Sequence, residues 1–410
     1  MPRLRLTALL TATLLAFTAT AAQAQQDDWP DWLNKAMSKE SKRLKYKEVS
    51  SDDEKYSFRL AGKPGESGAF EGGYYWESDI KGEAVLECYV FTEPSDLAAL
   101  VSNLTELGIE SQAEANGGGP VANRSVAHLD AGAINGAPFL AIEWVYTMGE
   151  APNTLVGYSK VRAARNGDII QACSHNFTGY RDTFAKAFEE FVSSAQQPAS
   201  DMPAYYEEVA LMRLGEQNIG VAHSTFRMDD EGDTQIITHT TSIVPVAPGV
   251  VSNDDAKTTS WSTADGLLIN SYSASAQNGE LSHDLQLRRD DEDNWQVTGE
   301  MQGKPIAATI DSALQPQSEV GQMRAAATLF AGEEQQTTFL AWLPDADPTK
   351  MLEGSITRDD AEVANQGTLA VGPLSMSTRF DESGSVVSAN ISIGAAVMTL
   401  ERIWKHGELW

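Results

Sequence analysis

Hydrophobic residues recur along this chain in two textures, and the change between them falls near residue 200. In the first half, Trp32, Leu33, Ala36, Met37 and Leu44 fall at helical spacing within residues 31–44. Strand-like runs follow at Tyr56–Leu60, Gly73–Glu77 and Ala84–Phe91. Ser95 then opens an amphipathic helix that places Leu97, Leu100, Val101, Leu104 and Leu107 on one face and ends at Gly108. Two hairpins come next, Val126–Tyr146 turning near Asn135-Gly136 and Leu155–Phe177 turning at Asn166-Gly167, because Asn-Gly tolerates the positive φ of a tight turn. A last helix, about Tyr180–Ala195, aligns Phe184, Phe188, Phe191 and Val192. Strands, a helix, four strands and a closing helix predict an α+β domain, an antiparallel sheet covered by helices.

Residues 197–204 are polar, contain Pro198 and show no period, which predicts a linker. Beyond them, short alternating runs recur at Glu208–Leu214, Ile219–Met228, Thr234–Val244, Leu267–Ala276, Leu281–Arg288, Trp295–Met301, Leu369–Phe380, Val386–Ile393 and Ala396–Trp404. One helix, Ser318–Ala331, interrupts them and sets Val320, Met323, Ala327 and Phe330 along one side. Such a succession predicts a mainly-β domain, a curved sheet or open barrel with one helix. The expected organisation is a leader at 1–24, an α+β domain at 25–196, a linker at 197–204 and a β-rich domain at 205–410.

The leader is predicted from Arg3 and Arg5, the apolar run Leu6–Ala19 and the small residues Ala22 and Ala24. That run is shorter than the ~20 residues a membrane-spanning helix needs, so it reads as a cleaved secretory signal and places the chain in the periplasm or outside the cell. The formal charge is −28, and with Arg3 and Arg5 in the leader the remaining chain is more acidic still. Phosphate binding relies on Lys and Arg, so nucleic acid and anionic membranes are poor partners. Against this background Lys35, Lys39, Lys42, Arg43, Lys45 and Lys47 form a basic island. It reads either as a solvated face or as a docking segment for an acidic partner, another part of this chain included.

The first half, over about residues 45–196, resembles the PsbP-like fold in element order and in its closing stretch Gly157–Phe191. The resemblance implies an accessory or partner-binding role. In the second half, the Gly215–Gly220 opening, the Ala264-Asp265-Gly266-Leu267 turn and the Trp342-Leu343-Pro344-Asp345 segment resemble bacterial periplasmic β-domains of unknown function. In architecture these are similar to the open-barrel lipoprotein carriers of the LolA type.

Motifs for catalysis are few. The chain has no GxSxG, HExxH, Walker loop, CxxC or GxGxxG. Ser78-Asp79-Ile80-Lys81 matches SxxK but falls in a strand-rich stretch, where enzymes that use this motif need a helix start. His128, His175, His223, His239, His283 and His406 are never spaced as ligands on one element, although His223 and His239 could face each other across neighbouring strands; no metal or cofactor is expected. The acidic clusters 229–233 and 290–294 sit between strand-like runs and read as turns rather than calcium loops, since neither meets the EF-hand spacing. Cys88 and Cys173, the two cysteines of the chain, lie in apolar strand-like runs. They read either as a disulfide, as an oxidising compartment favours, or as two buried thiols.

The expected function is that of a non-enzymatic envelope protein. Its β-rich domain would hold a hydrophobic small molecule or lipid, with Trp261, Met323, Phe330 and Trp342 as lining residues, and its first domain would dock an envelope protein partner. The alternatives are a structural interaction protein with a filled barrel and, third, a hydrolase whose residues converge from distant parts of the chain.

Overall fold

The computed structural model describes residues 31–410 apart from 42, 81–83, 94, 151–152, 312, 360–362 and 394–395. The predicted leader, Lys42 of the basic island and Lys81 of the SxxK match lie outside the described residues. The described chain divides into two compact units, one of residues up to 201 together with 242–253, the other of residues 202–241 and 254–410.

The first unit runs α1 (Asp31–Met37), β1 (Tyr46–Ser50), β2 (Ser57–Ala61), β3 (Lys63–Phe70), β4 (Gly73–Ile80), β5 (Ala84–Phe91), α2 (Leu97–Ala115), β6 (Val121–Ile134), β7 (Ala137–Met148), β8 (Leu155–Asn166), β9 (Ile169–His175) and α3 (Arg181–Ser193). Seven strands form an antiparallel sheet in the order β3-β4-β5-β9-β8-β7-β6, and β1 and β2 form a separate hairpin. One face of the sheet carries α3, whose Phe184, Phe188 and Phe191 are fully buried with Phe58, Leu60 and Trp76. Phe58 sets its ring edge-on to Trp76 and to Phe191, with centroids 4.5 and 4.4 Å away. Both Asn-Gly turns lie where the pattern places them; Asn135 and Gly136 take φ of 50° and 93°, and Gly167 takes 63°.

Helix α2 departs from expectation. It starts after Asp96 rather than Ser95 and continues past Gly108 to Ala115. Its buried face is Leu97, Val101, Thr105, Ile109 and Ala113, whereas Leu107 is 60% exposed. Thr105 hides its hydroxyl by donating to the Val101 carbonyl at 2.7 Å, which lets a polar residue sit in the apolar stripe. Gly108 is a packing residue: a Cβ there would lie 3.2 Å from both Asn176 Oδ1 and Ser159 Oγ, so glycine allows the helix to approach the sheet.

The rest of the chain forms β10 (Ala204–Leu214), β11 (Gln217–Met228), β12 (Thr234–Ala247), β13 (Val250–Ser262), β14 (Leu268–Gln277), β15 (Glu280–Arg289), β16 (Trp295–Met301), β17 (Lys304–Ile310), α4 (Glu319–Ala331), β18 (Gln336–Trp342), β19 (Met351–Arg358), β20 (Gln366–Val371), β21 (Leu374–Phe380), β22 (Val386–Ile393) and β23 (Ala396–Gly407), all in the second unit except residues 242–253 at the end of β12 and the start of β13, which belong to the first. They build one fourteen-stranded sheet in the order β17-β16-β15-β14-β13-β12-β11-β10-β23-β22-β21-β20-β19-β18. It is not closed by strand pairing, because β17 and β18 are its two ends. The sheet curls nonetheless: Trp342 and Met351, from one end, pack with Leu285, Trp295, Val297 and Ile310, from the other. Pro316 and Gln317 lace the gap, the Pro316 carbonyl accepting from Leu268 N at 2.9 Å and Gln317 N donating to the Leu340 carbonyl at 2.8 Å. Strands β13, β17, β18 and β19 have no counterpart in the alternating runs of the sequence, and the single run Leu369–Phe380 is instead the hairpin β20–β21, turning at Gly372 with φ of 53°.

The two acidic clusters are five-residue hairpin turns, and a third turn at 381–385 repeats their design. Asp229, Asp290 and Asp381 each open a turn and accept, with Oδ1, the backbone N–H groups two and four residues on, at 2.8–3.1 Å. Thr263 opens a fourth, its Oγ1 accepting from Leu267 N. The fourth residue of each has positive φ: Gly232, Asp293, Gly384 and Gly266.

Two of these turns hold α4. A Cβ on Gly384 would run into the Met323 carbonyl, and Gly266 and Gly321 meet backbone to backbone. The side of α4 that faces the sheet places Ala326 and Leu329 against Phe339, Ile356 and Phe380. The helix is therefore clamped as a core element along its length, a geometry in which it does not act as a free lid.

Candidate functional site

The second unit encloses a cavity of about 160 Å³ between β13, β14, the start of α4 and the segment after β18. Its floor is polar because the strands beneath it point serines inward. On β13, Ser260 and Ser262 are buried, and on β14 so are Ser271 and Ser273. Ser318 caps α4, its Oγ accepting from Gly321 N at 3.3 Å and lying 2.7 Å from Ser262 Oγ. Glu319 follows in the first helical turn, where a carboxylate suits the helix dipole, and its Oε2 accepts from Ser260 Oγ at 2.8 Å. The opposite wall is apolar, formed by Leu268, Ala341, Trp342, Leu343 and Pro344. Trp342 is fixed there by donating from Nε1 to the Pro348 carbonyl at 2.9 Å.

One imidazole underlies the floor. His283 of β15 is buried, with Nε2 2.8 Å from Ser273 Oγ and Nδ1 3.0 Å from Ser275 Oγ and 3.3 Å from Asp345 Oδ1. Asp345 stands at the rim with its side chain 44% exposed. Ser273, His283 and Asp345 thus follow one another as nucleophile, base and carboxylate do in acyl-transfer enzymes, although Ser275 shares Nδ1 with Asp345.

Of the four residues expected to line a ligand site, Trp342 does so. Trp261 alternates with Ser260 and Ser262 on β13 and so lies on the other face of the strand. Met323 packs beside Tyr206, Phe226, Ile236 and Val320. Phe330 packs on Phe380, with ring centroids 5.3 Å apart, under the Arg358 guanidinium. A search for bulky apolar residues thus missed the serines, His283, Glu319 and Asp345. The sequence signal that marks them is the alternation Ser271, Ser273, Ser275 and the Ser318-Glu319 helix start.

In the first unit, Cys88 and Cys173 are joined by a disulfide with Cα atoms 4.1 Å apart. The same unit buries a charged group of side chains. Glu143 accepts from Arg181 Nε at 2.7 Å and from the Tyr158 hydroxyl at 3.2 Å. Lys160, in register with Glu143 across β7 and β8, donates to the Phe177 carbonyl. Burial pushes the Lys160 ammonium down to about 7, against the pull of Glu143. Burial, helped by the charge of Lys160, pushes His175 down to about 3; its Nδ1 bonds the Val85 carbonyl at 3.0 Å. Tyr158 and Tyr146 are both raised by burial. Ser78 is no nucleophile: it is buried in β4, and its hydroxyl donates to the Ala61 carbonyl.

The basic island meets its own chain. Tyr180 N donates to the Lys39 carbonyl at 2.6 Å, and Glu40 takes the first turn of α3, so the contact uses backbone and a carboxylate rather than the basic side chains. A shallow concavity of about 700 Å³ lies beside it, between Ala36, Lys39, Asp79, Phe177 and Tyr180.

No family model matches the chain, and no curated protein matches it. Solved structures do. A β-barrel-like protein of domain of unknown function DUF1849 from Brucella abortus is 11% identical, covers 50% of this chain and 98% of its own, and superposes with a TM-score of 0.37. The cyanobacterial PsbP protein from Synechocystis is 14% identical over 37% of this chain and 92% of its own, with a TM-score of 0.26. A DUF1089 protein from Pseudomonas aeruginosa is 16% identical over 40% and 87%, with a TM-score of 0.25. The chain resembles a PsbP-like and a β-barrel-like protein, the two resemblances carried by its sequence. No described helix is long and apolar enough to cross a membrane.

Proposed function

We propose that this is an exported, non-enzymatic envelope protein whose β-rich unit binds a small amphiphile and whose α+β unit docks a partner protein. The observation that carries the binding reading is the two-sided cavity, with hydroxyls and Glu319 on one wall and Trp342, Leu343 and Pro344 on the other. At roughly 30 Å³ for a water-sized group, about 160 Å³ holds some five such groups. With α4 clamped, a long acyl chain does not fit, and the ligand is smaller than the lipid expected from sequence. Export rests on the leader at 1–24. Native mass spectrometry of the protein purified from the envelope fraction tests the reading: a co-purified small molecule lost on Trp342→Ala supports it, and an empty protein that binds no added amphiphile favours the filled-barrel alternative.

A second reading has its own observation. The Ser273, His283 and Asp345 contacts suit an acyl-transfer site. A fluorophosphonate probe that labels the wild type and not Ser273→Ala would favour it; absence of labelling removes it.

A further inference from the structure

We infer that the α+β unit docks its partner in the concavity beside α1, and that the docked part is an acidic protein segment carrying an apolar side chain. This rests on the docking reading above and adds the site and the chemistry of the partner. Val85 of β5 and Phe177, between β9 and α3, line the concavity, and each is 44% exposed. Ala36 and Tyr180 complete its apolar part. Neighbouring groups hold this surface in shape. Gly179, at φ of 84°, lies under α1 where a Cβ would meet the Ala36 carbonyl at 2.5 Å. The Phe177 ring stacks on His175 with centroids 5.7 Å apart, and the Phe177 carbonyl accepts from Lys160. Tyr180 packs T-shaped on the same imidazole at 6.2 Å. Aromatic side chains fixed in this way lose little freedom when a partner covers them.

Charge supplies an independent observation. Lys35, Lys39, Arg43, Lys45 and Lys47 are exposed, and none of them forms an ion pair among the described residues. This occurs in a chain with 58 acidic residues against 30 basic ones. Glu40, which lies among them, is taken up by the first turn of α3. Lys39 and Asp79 are the charged groups that line the concavity, and Asp79 already has a partner, so Lys39 sets the sign of the site. Lys45 borders the same rim: its carbonyl accepts from Gly62 N at 2.8 Å, and Gly62 lies against the Asp79 backbone. An acidic segment therefore complements the rim, and its apolar side chain complements Val85 and Phe177. An anionic membrane suits the site less well. It would meet the −28 charge of the whole chain, whereas a short segment meets the charges within a Debye length, about 8 Å. A second copy brings the same net charge and is repelled. The apolar groups also lie in a recess, which an inserted side chain reaches and a flat bilayer does not.

The experiment is fluorescence anisotropy with the full exported chain and three labelled octapeptides at pH 7 and fixed ionic strength. One has glutamates around a central Trp-Leu pair, one has lysines in place of the glutamates, and one has glycines in place of Trp and Leu. The first should bind at least tenfold tighter than either of the others. Lys39→Glu keeps the backbone contact with Tyr180 and should weaken the first peptide at least tenfold; with Lys35→Glu added, the preference for glutamate over lysine should vanish. Val85→Gln, at an exposed position, should weaken the first peptide at least fivefold and leave the glycine peptide within twofold. Unchanged melting temperatures separate recognition from stability, and Lys39→Gln repeats the test should the charge reversal lower the melting temperature. Binding of the first peptide that ignores all these changes overturns the site while the docking reading stands. Equal binding of the lysine or the glycine peptide, Lys39-dependent self-association in sedimentation, or Lys39-dependent binding to phosphatidylcholine–phosphatidylglycerol vesicles overturns the partner assigned to it. If no peptide, vesicle or second copy binds, the docking reading itself falls.

Discussion

Glu40 holds Thr183 with a single carboxylate oxygen, which accepts from the Thr183 amide at 2.8 Å and from its hydroxyl at 2.6 Å. The other oxygen accepts from Asp182 N at 3.0 Å. Helix α3 needs this contact, because Tyr180 at its N-cap has φ of 60° and offers no side-chain cap. Glu40→Ala should therefore cost about 1–2 kcal/mol, a cap plus a charge at the positive helix end. Thermal unfolding checks it, and a melting temperature equal to wild type would show that α3 is held by its phenylalanines alone.

Cys88 and Cys173 face each other directly across β5 and β9, between the pairs Glu87/Ser174 and Tyr89/Ala172. The bond joins residues 85 apart in sequence, so its loss frees a long loop in the unfolded chain. Replacing both by alanine should cost the first unit roughly 2–4 kcal/mol in denaturant unfolding. An unchanged midpoint would contradict this.

Lys160 makes the first unit sensitive to alkali in a defined direction. Its ammonium is depressed from 10.5 to about 7 in the folded chain, so between those values the unfolded chain binds more protons. Stability should rise with pH from 7 to 9.5, by at most about 1.4 kcal/mol per pH unit. The groups that act on it are Glu143 and Glu40, which favour its charge, and Arg181, which opposes it. Tyr158 and Tyr146 act with opposite sign, being raised, but only above about pH 10. Lys160→Met should flatten the slope between pH 7 and 9.5; an equal slope in the variant would assign it elsewhere. At the acid end His175, depressed from 6.5 to about 3, should lower stability as pH falls through that window.

The face of α2 can be tested with two single changes. Val101→Asp places a charge in a site with no solvent access and should unfold the first unit, a cost of several kcal/mol. Leu107→Asp should change stability by less than about 0.5 kcal/mol, as an exposed substitution does. Circular dichroism and melting distinguish the two, and a severe effect at Leu107 would restore the face that the leucine spacing suggests.

The first unit was largely legible because its strands and helices bury apolar residues at regular intervals: Phe184, Phe188, Phe191 and Val192 mark α3 without ambiguity. The failure at α2 came from reading Leu107 as core and Thr105 as surface, which the Thr105 hydrogen bond to Val101 reverses. In the second unit β13 escaped notice for a physical reason. Its buried positions, Ser252, Asn253, Asp255, Ser260 and Ser262, are all polar, so the strand carries no hydrophobic signal. The candidate cavity was hidden by the same fact, since a search for aromatic lining finds Trp342 and passes over Ser271, Ser273 and His283. Asp345 reaches His283 over 62 residues of chain, a proximity that only the curl of the sheet creates.

The inward serines of β13 and β14 also bear on how the β-rich unit responds to temperature. Apolar surface exposed on unfolding raises the heat capacity and polar surface lowers it, about +0.45 against −0.26 cal/K/mol per Å². A sheet that fills part of its interior with hydroxyls, and divides the remainder into separate clusters around Tyr206, Leu285 and Leu329, exposes less apolar area per residue when it opens. Its stability curve should be flatter than that of a greasy sandwich of equal length, so the unit loses little of its strength across a wide span of growth temperatures.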